Sequence, residues 1–365
     1  MTAAAAGARG PAPDRCENCG FAQKYSRQRA GERPAFCTGH EKWLCFGCRD
    51  QLECGKLKHR IDTLPPRVDV TGIPSNDGIY ATIDDDVYHS DLASLSSSGA
   101  RDLLGSTPEE FDFNRRTPRD PNRNYDFGHA AHKMVLGKGS RLAMLDPKVV
   151  GLTADGKLAK VPTATSMWKN AAKAARDKGQ IPIAKADMAK AQTMAGKVFQ
   201  HRTAARLLAE GRAEHSIYWH DDATGVRLRC RPDFITDGLG RTICVDYKTA
   251  TSANPGQFQR AVMDYGYHMQ QAFYEVGLAE LGYNDVGFVF IVQSKTAPYT
   301  VSVCSIDPEI VELGHRQNRA AIELFARCTE SGRWPGYEGI QSVGMAGWAI
   351  KQIEESLEAF YQPTA

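Results

Sequence analysis

The chain has 365 residues, of which 42% are hydrophobic and 24% are charged, and its formal net charge is +2. A chain of this length and composition can form one large globular domain with appendages, or two domains. Its weak overall charge means that any affinity for nucleic acid must come from local basic patches. No apolar run approaches the roughly 20 residues of a membrane helix, so no membrane partner is expected.

Residues 1–13 are rich in alanine and glycine and lack the basic-then-apolar order of a secretory signal. We therefore expect a disordered tail here and a cytoplasmic location for the protein. Cysteines in that compartment are normally reduced, which affects the interpretation of the cysteine-rich segment that follows.

Six of the ten cysteines lie between Cys16 and Cys54, and together with two histidines they form four ligand pairs. The pairs are Cys16-x2-Cys19, Cys37-x2-His40, Cys45-x2-Cys48 and Cys54-x4-His59. A tight Cys-x2-Cys step can direct both thiolates at one tetrahedral ion. The eight ligands therefore predict a zinc-binding module over residues 14–62 that holds two Zn²⁺ ions.

The spacing of this ladder is similar to that of B-box-type cross-brace modules, in which alternate pairs share a zinc ion. The resemblance implies one site formed by Cys16, Cys19, Cys45 and Cys48, and a second formed by Cys37, His40, Cys54 and His59. A disulfide framework is the alternative that a reducing compartment disfavours. Between Asp14 and Arg67 there are eleven Lys/Arg and seven Asp/Glu, an excess that suits contact with phosphates but also an ordinary solvated face.

Residues 63–87 are rich in proline and glycine and end in an acidic run. This composition predicts a linker, followed by a globular domain over residues 88–330 that begins near Tyr88. Residues 331–365 are predicted to be a C-terminal extension with a final helix.

The first half of the predicted domain has helical patterns. Ser96, Ser97 and Ser98 are typical of an N-cap for a helix that runs through Leu104, and Pro108 ends that helix or opens the next. Residues 165–212 are rich in alanine and lysine with helical periodicity and an interruption at 179–182. They predict two or three helices packed beside a sheet.

Two runs with strand periodicity follow. In residues 226–234 one face is apolar, and the opposite face carries Arg227, Arg229, Arg231 and Asp233. A turn-rich segment at 237–240 then predicts a hairpin. In the second run the residues alternate again: Ile243, Val245 and Tyr247 share one face, and Asp246 and Lys248 share the other.

If these two strands pair, Asp233, Asp246 and Lys248 come together on one surface. Two carboxylates there can bind hard divalent cations such as Mg²⁺, and an adjacent lysine can orient or deprotonate a water molecule. Many ordinary hairpins also carry charges on their outer face, so the surrounding motifs must decide whether this pattern indicates a metal site. Arg227, Arg229 and Arg231 are candidates for contact with DNA on the same surface.

The remainder of the domain predicts further helices and strands. A long helix over about residues 257–281 places Gln270 and Tyr274 four positions apart on one face. Strands are predicted over residues 285–293 and 299–306, and a closing helix over residues 308–327. The order β-β-β-α-β-β-α predicts an α/β fold with a central mixed sheet flanked by helices.

Four motifs in this order resemble the PD-(D/E)xK nuclease superfamily. They are Glu214, Arg231-Pro232-Asp233, Asp246-Tyr247-Lys248 and Gln270-Gln271-Ala272-Phe273-Tyr274. Further segments resemble RecE-type exonucleases, the exodeoxyribonuclease VIII family: Leu95-Ser96-Ser97-Ser98-Gly99, Thr107-Pro108-Glu109-Glu110-Phe111, Phe127-Gly128-His129-Ala130-Ala131-His132, the helix with Trp168, and Tyr265-Gly266-Tyr267-His268-Met269-Gln270-Gln271. The resemblance covers residues 88–330 and implies a restriction-endonuclease-like core.

The resemblance also implies a role for each matching residue. The ligands of a Mg²⁺ or Mn²⁺ site would be His132, Asp233, Asp246 and the main-chain carbonyl of Tyr247. Lys248 would orient the attacking water or stabilise charge in the transition state, and Glu214 would lie near the metals. Gln270 and Tyr274 would position the lysine or the nucleotide. His129, one helical turn from His132, would lie beside the ligands or be purely structural.

The activity implied by the resemblance is a Mg²⁺-dependent exodeoxyribonuclease that degrades one strand of linear duplex DNA, from the 5′ end towards the 3′ end. Single-stranded overhangs would pass to a single-strand annealing protein, in recombination and repair in a phage or bacterial host cell. Relatives that act processively form rings, so a homo-oligomer is expected.

Two other functions stay open, a structure-specific endonuclease of the same superfamily and an inactive DNA-binding or interaction protein. The intact Asp233, Asp246 and Lys248 argue against an inactive protein. An iron–sulfur cluster is the alternative to zinc, because some relatives in the superfamily carry one. Those clusters usually draw cysteines from both sides of the nuclease core, whereas Cys230, Cys244, Cys304 and Cys328 are scattered here.

Overall fold

The computed structural model describes residues 35–37, 42–44, 61–62, 72–117, 123–236, 241–283 and 285–361. Residues 1–13 lie outside these ranges. So do the candidate zinc ligands, except for the main chain of Cys37. The disordered tail and the two-zinc module therefore stay predictions. Three short strands in this part of the chain, Ala35–Cys37 (β1), Lys42–Leu44 (β2) and Ile61–Asp62 (β3), form an antiparallel sheet in the order β2-β1-β3.

The remaining strands form two larger sheets and one small one. In chain order they are Gly78–Tyr80 (β4), Leu95–Ser96 (β5), Arg141–Leu145 (β6), Gln180–Ala184 (β7), Arg212–Ala213 (β8), Ser216–His220 (β9), Arg227–Cys230 (β10), Phe234–Thr236 (β11), Thr242–Ala250 (β12), Val286–Ser294 (β13) and Val301–Cys304 (β14). One large sheet has the order β4-β9-β10-β5 and the other β14-β13-β12-β11-β8, while β6 and β7 form a parallel pair.

Twelve α-helices lie within the described ranges. They are Asp85–Ser90 (α1), Ser97–Leu104 (α2), Pro108–Arg116 (α3), Arg123–Leu136 (α4), Pro147–Val150 (α5), Ser166–Arg176 (α6), Lys185–Gln200 (α7), Arg202–Leu207 (α8), Pro255–Asp264 (α9), Tyr267–Glu280 (α10), Pro308–Ser331 (α11) and Gly347–Tyr361 (α12). None of them is both long enough and apolar enough to cross a bilayer.

The central strand β12 separates two hydrophobic cores. It pairs antiparallel with β11 and parallel with β13, so the sheet is mixed, as predicted. Val245 and Tyr247 pack on one side with residues of α4 and α7. Cys244 belongs to the larger core on the other side, which contains Trp219 and Phe273. The alternation predicted for this strand is confirmed, and the fold is mixed α/β with helices against the sheets.

Helix α10 is held close to the four-stranded sheet by a glycine. A β-carbon at Gly277 would lie 2.7 Å from the indole ring of Trp219, a distance that side-chain atoms do not tolerate. Trp219 is fully buried, and its ring contacts Phe273 edge-on with a centroid distance of 5.2 Å. The close approach fixes α10 over the sheet, which in turn places the polar end of this helix beside β12.

Between consecutive strands, the described chain crosses directly from one large sheet to the other at two points, which the sequence pattern did not reveal. The run 226–234 was predicted to be one strand, but it forms β10 in one sheet and β11 in the other, with a break over residues 231–233. A second crossing lies between β8 and β9, at Glu214 and His215. The predicted hairpin is therefore restricted to β11 and β12, with Phe234 opposite Val245.

Other predicted boundaries need correction. The linker prediction for residues 63–87 is wrong where the structure describes them, because β4 pairs with β9 and Ile79 and Tyr80 are buried. The predicted helix 257–281 is divided at Gly266, which adopts a left-handed conformation (φ 63°). Within the interruption at 179–182, residues 180–182 begin strand β7. At the C-terminal boundary, Trp334 packs on Phe111 and therefore belongs to the domain.

Several helix predictions hold. Ser96 caps α2 by accepting a hydrogen bond from the Gly99 amide, and Pro108 occupies the first turn of α3. The closing helix and the final helix are present as α11 and α12. No side chain of α12 is buried, so this last helix has no packing role within the described part of the chain.

Candidate active site

A cleft of about 320 Å³ opens where the two sheet crossings meet the edge of β12. It is lined by residues of α1, α2, α4, β12 and α10 together with both crossings. His132, Glu214, Asp233, Lys248, Gln270 and Tyr274 all line it, so residues separated by more than a hundred positions in the sequence converge here. Asp246 lies beneath them and is almost completely buried.

Three side chains form what we call the histidine side of the cleft: His132, Glu214 and Asp233. One ligand atom from each lies within 4.8 Å of the other two. The Nδ1 atom of His132 is 3.5 Å from Oδ2 of Asp233, and the same Oδ2 accepts a hydrogen bond of 2.7 Å from the Tyr247 amide. The structure therefore places Glu214 beside His132 and Asp233, two of the predicted metal ligands.

Glu214 is held in place by its backbone. Its φ of 56° lies in the left-handed region, which non-glycine residues seldom adopt, and such conformations persist where the surrounding structure enforces them. The Glu214 amide donates a 3.0 Å hydrogen bond to the carbonyl of Asp233, which joins the two crossings. The joined crossings place both carboxylates in the cleft.

The other residues form the lysine side of the cleft: Asp246, Lys248 and Gln270. The Lys248 Nζ atom lies 2.7 Å from Oδ2 of Asp246, and the Gln270 amide nitrogen donates a 2.5 Å hydrogen bond to Oδ1. Asp246 and Lys248 are two residues apart on one strand face, as predicted. Lys248 therefore balances the negative charge of Asp246, and the Gln270 amide fixes the orientation of its carboxylate. Asp233 instead lies beside the imidazole of His132 and the carboxylate of Glu214.

Protonation differs between the two sides. Burial, reinforced by Asp233, raises the pKa of Glu214 to about 8, and burial raises the pKa of Asp233 to about 6 even though His132 opposes the shift. Burial lowers the pKa of Lys248, but the carboxylates of Asp246 and Asp233 outweigh it and raise that pKa to about 12. The histidine side thus resists full ionisation, whereas Lys248 stays charged at neutral pH.

Tyr247, Tyr274 and His129 are the remaining predicted residues at the site. The Tyr247 hydroxyl donates to Oε1 of Gln293 at 2.5 Å, and the tyrosine ring lies 5.2 Å from that of His132. Metal binding by the Tyr247 carbonyl stays a prediction. The Tyr274 hydroxyl donates to the carbonyl of Arg231 at 3.3 Å. His129 also lines the cleft, and burial lowers the pKa of its imidazole.

The three arginines predicted to contact DNA make hydrogen bonds within the protein, and Arg231 also lines the cleft. Arg229 is buried and donates to the Ser94 carbonyl and hydroxyl. Arg231 is bound to Asp85 and Ser216, and Arg227 donates to the carbonyl of Pro74. The predicted alternation holds from Val226 to Cys230, whereas Phe234 belongs to the other core. The segment around α1 supplies partners to Arg229 and Arg231, and contact of the three arginines with DNA stays a prediction.

Several cleft residues were not singled out from the sequence as site residues. Asp85 in α1 accepts hydrogen bonds from Arg231 and from the Ser140 hydroxyl, although it had been placed in a linker. Tyr265 and Tyr267 line the cleft beside Lys248, as do the serines that begin α2. The serines and tyrosines belong to segments that resemble RecE-type exonucleases, and this resemblance could have identified them as cleft residues. Nothing in the local sequence identified Asp85.

The donor set of the histidine side fits a divalent cation. An imidazole nitrogen and two carboxylate oxygens are common ligands of Mn²⁺ and related ions, and carboxylates are ligands of Mg²⁺. Burial raises the pKa of both carboxyl groups, and the nearby positive charges, His132 beside Asp233 and Arg231 near Glu214, do not offset it. A cation there would be held by His132, Glu214 and Asp233, with Asp246 close by.

Two comparisons with known proteins give matches. The family described as "PDDEXK-like domain of unknown function (DUF3799)" matches residues 96–344. A crystal structure from Eubacterium rectale, described as "Putative exonuclease", is 12% identical, covers 74% of this chain and 98% of its own, and superposes with a TM-score of 0.49. A search of curated proteins gives no match. The described cleft residues from Ser96 to Tyr274 lie within the range matched by the family, and Asp85 lies outside it.

Proposed function

This chain belongs to the PDDEXK-like domain family DUF3799, and on that basis we propose that it is a divalent-metal-dependent nuclease that cleaves DNA. The observation that carries the proposal is the convergence of two carboxylate groups of different character in one cleft. Asp233 lies with Glu214 and His132, and Asp246 lies with Lys248. This is the arrangement expected for hydrolysis of a phosphodiester, where negative charge must be stabilised as water attacks phosphorus.

Each side chain would have a distinct part in the reaction. A divalent cation held by His132, Glu214 and Asp233 would act as a Lewis acid that stabilises charge on the phosphate. The Lys248 ammonium, which stays charged because Asp246 adjoins it, would bind a phosphate oxygen or orient the attacking water. A pKa of about 12 makes Lys248 a poor general base at neutral pH.

Two further residues would position these groups. The Gln270 amide fixes the second oxygen of Asp246, so the carboxylate cannot rotate away from Lys248. The Tyr247 amide fixes an oxygen of Asp233 in the same way. Both contacts come from elements of the packed core, which gives the preorganisation that electrostatic catalysis requires.

We further propose action from DNA ends, with degradation from 5′ to 3′ and formation of single-stranded overhangs for recombination. The support is the resemblance of the segments at 95–99, 107–111, 127–132 and 265–271 to RecE-type exonucleases. The two-zinc module, a homo-oligomer, a single-strand annealing partner and a cytoplasmic location belong to the same proposal. An endonuclease of the same superfamily is the alternative within the enzyme class.

One assay separates these possibilities. The protein is incubated with Mg²⁺ and either linear duplex DNA or the same DNA as a covalently closed circle, with EDTA as the control. Degradation of the linear form alone supports an exonuclease, cleavage of both forms indicates an endonuclease, and no cleavage of either contradicts the nuclease proposal. Linear DNA labelled at its 5′ or 3′ end then gives the polarity.

A further inference from the structure

A stack of aromatic rings runs from the lysine side of the cleft to its mouth. The ring centroids of Tyr267 and Phe258 are 5.6 Å apart with 26° between their planes, and those of Tyr265 and Tyr267 are 5.6 Å apart with 30° between their planes. The Lys248 Nζ atom lies 4.8 Å from the centroid of Tyr267. The stack therefore begins in the core, passes the candidate catalytic lysine and ends at Tyr265.

The backbone holds the outermost ring in a fixed position. Gly266 adopts a left-handed conformation between the two tyrosines, which lets the rings of residues 265 and 267 stack although they are only two positions apart. A β-carbon at Gly266 would lie 3.0 Å from Cδ of Arg101, so the site also favours glycine on steric grounds. Arg101 in turn donates a 3.1 Å hydrogen bond to the Tyr265 carbonyl.

Tyr265 differs from an ordinary exposed aromatic residue. Single exposed aromatic side chains are common on protein surfaces and need no function. Here one ring face lies against Tyr267, while 57% of the residue is exposed to solvent. The exposed ring borders the same cleft as Lys248 and Gln270. A flat apolar surface is thus presented to whatever chain the cleft binds.

We infer that Tyr265 is a stacking platform for the nucleobase of the nucleotide next to the phosphate held in the cleft. The inference rests on the proposed function, since it gives the DNA substrate a second contact at the same site. Stacking on an aromatic ring is tolerant of sequence, because every base has a π-face. Tyr265 would then add affinity and fix the position of the DNA strand without reading the base. Tyr267, already covered by Tyr265 and adjoining Lys248, would support the platform.

The test is a binding measurement made without cleavage. Fluorescence anisotropy in EDTA at low ionic strength measures the affinity for two blunt-ended duplexes, one with intact bases and one with an abasic residue as the terminal nucleotide of each strand. The variants are Tyr265→Ala, Tyr265→Phe and Tyr265→Trp. Tyr337→Ala is the matched control, because Tyr337 is 77% exposed and does not line the cleft.

We expect the wild-type protein to bind the intact end roughly tenfold more tightly than the abasic end, in the range of base–aromatic stacking. Tyr265→Ala should bind both ends with nearly equal affinity, while the Phe and Trp variants and Tyr337→Ala should keep the wild-type preference. A wild-type protein without preference, or a Tyr265→Ala variant that retains it, overturns the platform.

Parallel cleavage assays with Mg²⁺ separate this inference from the proposed function. If the wild-type protein prefers the intact end and loses the preference in Tyr265→Ala, the platform stands even where no cleavage occurs, and only the nuclease proposal fails. If the protein cleaves DNA but Tyr265→Ala keeps the wild-type preference, the nuclease proposal stands and the platform is wrong.

Discussion

Asp233 immediately precedes β11, and Asp246 lies in the neighbouring strand β12, yet the surroundings of the two carboxylates differ. On the lysine side, Asp246 is almost completely buried but has Lys248 at 2.7 Å and the Gln270 amide at 2.5 Å. On the histidine side, Asp233 adjoins Glu214, and the pKa values of both carboxyl groups are raised. Asp246 is paired with a lysine within the protein, whereas Asp233 lies 3.5 Å from a histidine and next to a second carboxylate.

The difference indicates which side needs a cation from solution. Buried carboxylates without compensating charge become protonated, unless a positive ion joins them. A cation at the histidine side would remove that penalty, whereas the lysine side already has its positive charge. Substitutions on the two sides should therefore differ in their effects on cleavage, metal affinity and stability.

Loss of Asp246 should have the largest effect. Asp246→Ala removes the carboxylate that holds Lys248 and lies next to the proposed metal ligands. Cleavage of linear duplex DNA should fall by roughly a thousandfold, in line with the several kcal/mol that such charge stabilisation supplies. Steady-state rates with Mg²⁺ measure the loss, and circular dichroism checks the fold. Asp264→Ala, at a half-exposed position on α9, is the matched control. Near-normal rates in the Asp246 variant would mean that the site has been assigned wrongly.

The two histidines should differ. His132 lies 3.5 Å from Asp233, and His129 lines the same cleft one helical turn earlier without joining the ligand group. His132→Ala should lower activity by about a hundredfold and weaken the apparent affinity for Mn²⁺, while His129→Ala should cost less than tenfold. Activity titrated against Mn²⁺ concentration distinguishes them. An equal loss in both variants, or the reverse ranking, would show that the motif is aligned one turn out of place.

Metal removal should make stability depend on pH. Burial, together with Asp233, holds the pKa of Glu214 at about 8 instead of its ordinary 4.5. Between these values the folded protein keeps a proton that the unfolded chain releases, so the free energy of unfolding decreases as pH rises from about 5 to 8. In EDTA, the melting temperature should be lower at pH 8 than at pH 6. Added Mn²⁺ should raise the melting temperature more at pH 8 than at pH 6.

Glu214→Gln is the control for this effect, because an amide has no proton to lose. Its melting temperature in EDTA should vary less with pH than that of the wild-type protein, and Mn²⁺ should raise it less. A pH dependence equal to that of the wild-type protein would place the titrating group elsewhere.

The contact between Asp85 and Arg231 should have a smaller effect on activity. Arg231 belongs to the crossing that carries Asp233 and pairs with Asp85, and its carbonyl accepts a hydrogen bond from the Tyr274 hydroxyl. Asp85→Asn should destabilise the fold by about 1–2 kcal/mol and lower activity up to tenfold, since it acts through Arg231. Urea unfolding and steady-state rates measure the two effects. Asp86→Asn, at the adjacent position of α1, is the control.

The smallest effect on cleavage is expected from the cysteine-rich segment. Metal analysis should find about two zinc ions per chain and no iron absorbance, and Cys45→Ser should lower the zinc content. Cleavage by the Cys45→Ser protein should be nearly normal, while DNA or partner binding should weaken. Cys304→Ser, outside the ladder, should keep its zinc. A brown protein that loses its colour in Cys45→Ser would identify an iron–sulfur cluster, and lost cleavage would make the segment part of the catalytic architecture.

Local patterns in the sequence determined much of the fold. Alternation in residues 243–248 assigned Val245 and Tyr247 to one core and placed Asp246 with Lys248 on the other face. The serines at 96–98 marked the start of α2, and the pattern after residue 308 predicted α11. These features depend on neighbours within a few positions, where residue spacing and backbone geometry fix which side chains share a face.

Only the tertiary structure decided how the cleft is assembled. Alternation in residues 226–234 separated the arginines from the apolar residues, but it could not show that the chain changes sheets at residue 231. It also could not show that the segment around α1 contacts Arg229 and Arg231, because a polar face looks the same in sequence whether water or another segment contacts it. Asp85 reaches Arg231 and the cleft from more than a hundred positions away in the sequence. Long-range packing, which leaves no local pattern, therefore decided the geometry of the cleft, whereas the residue types that supply its chemistry were already visible in the sequence.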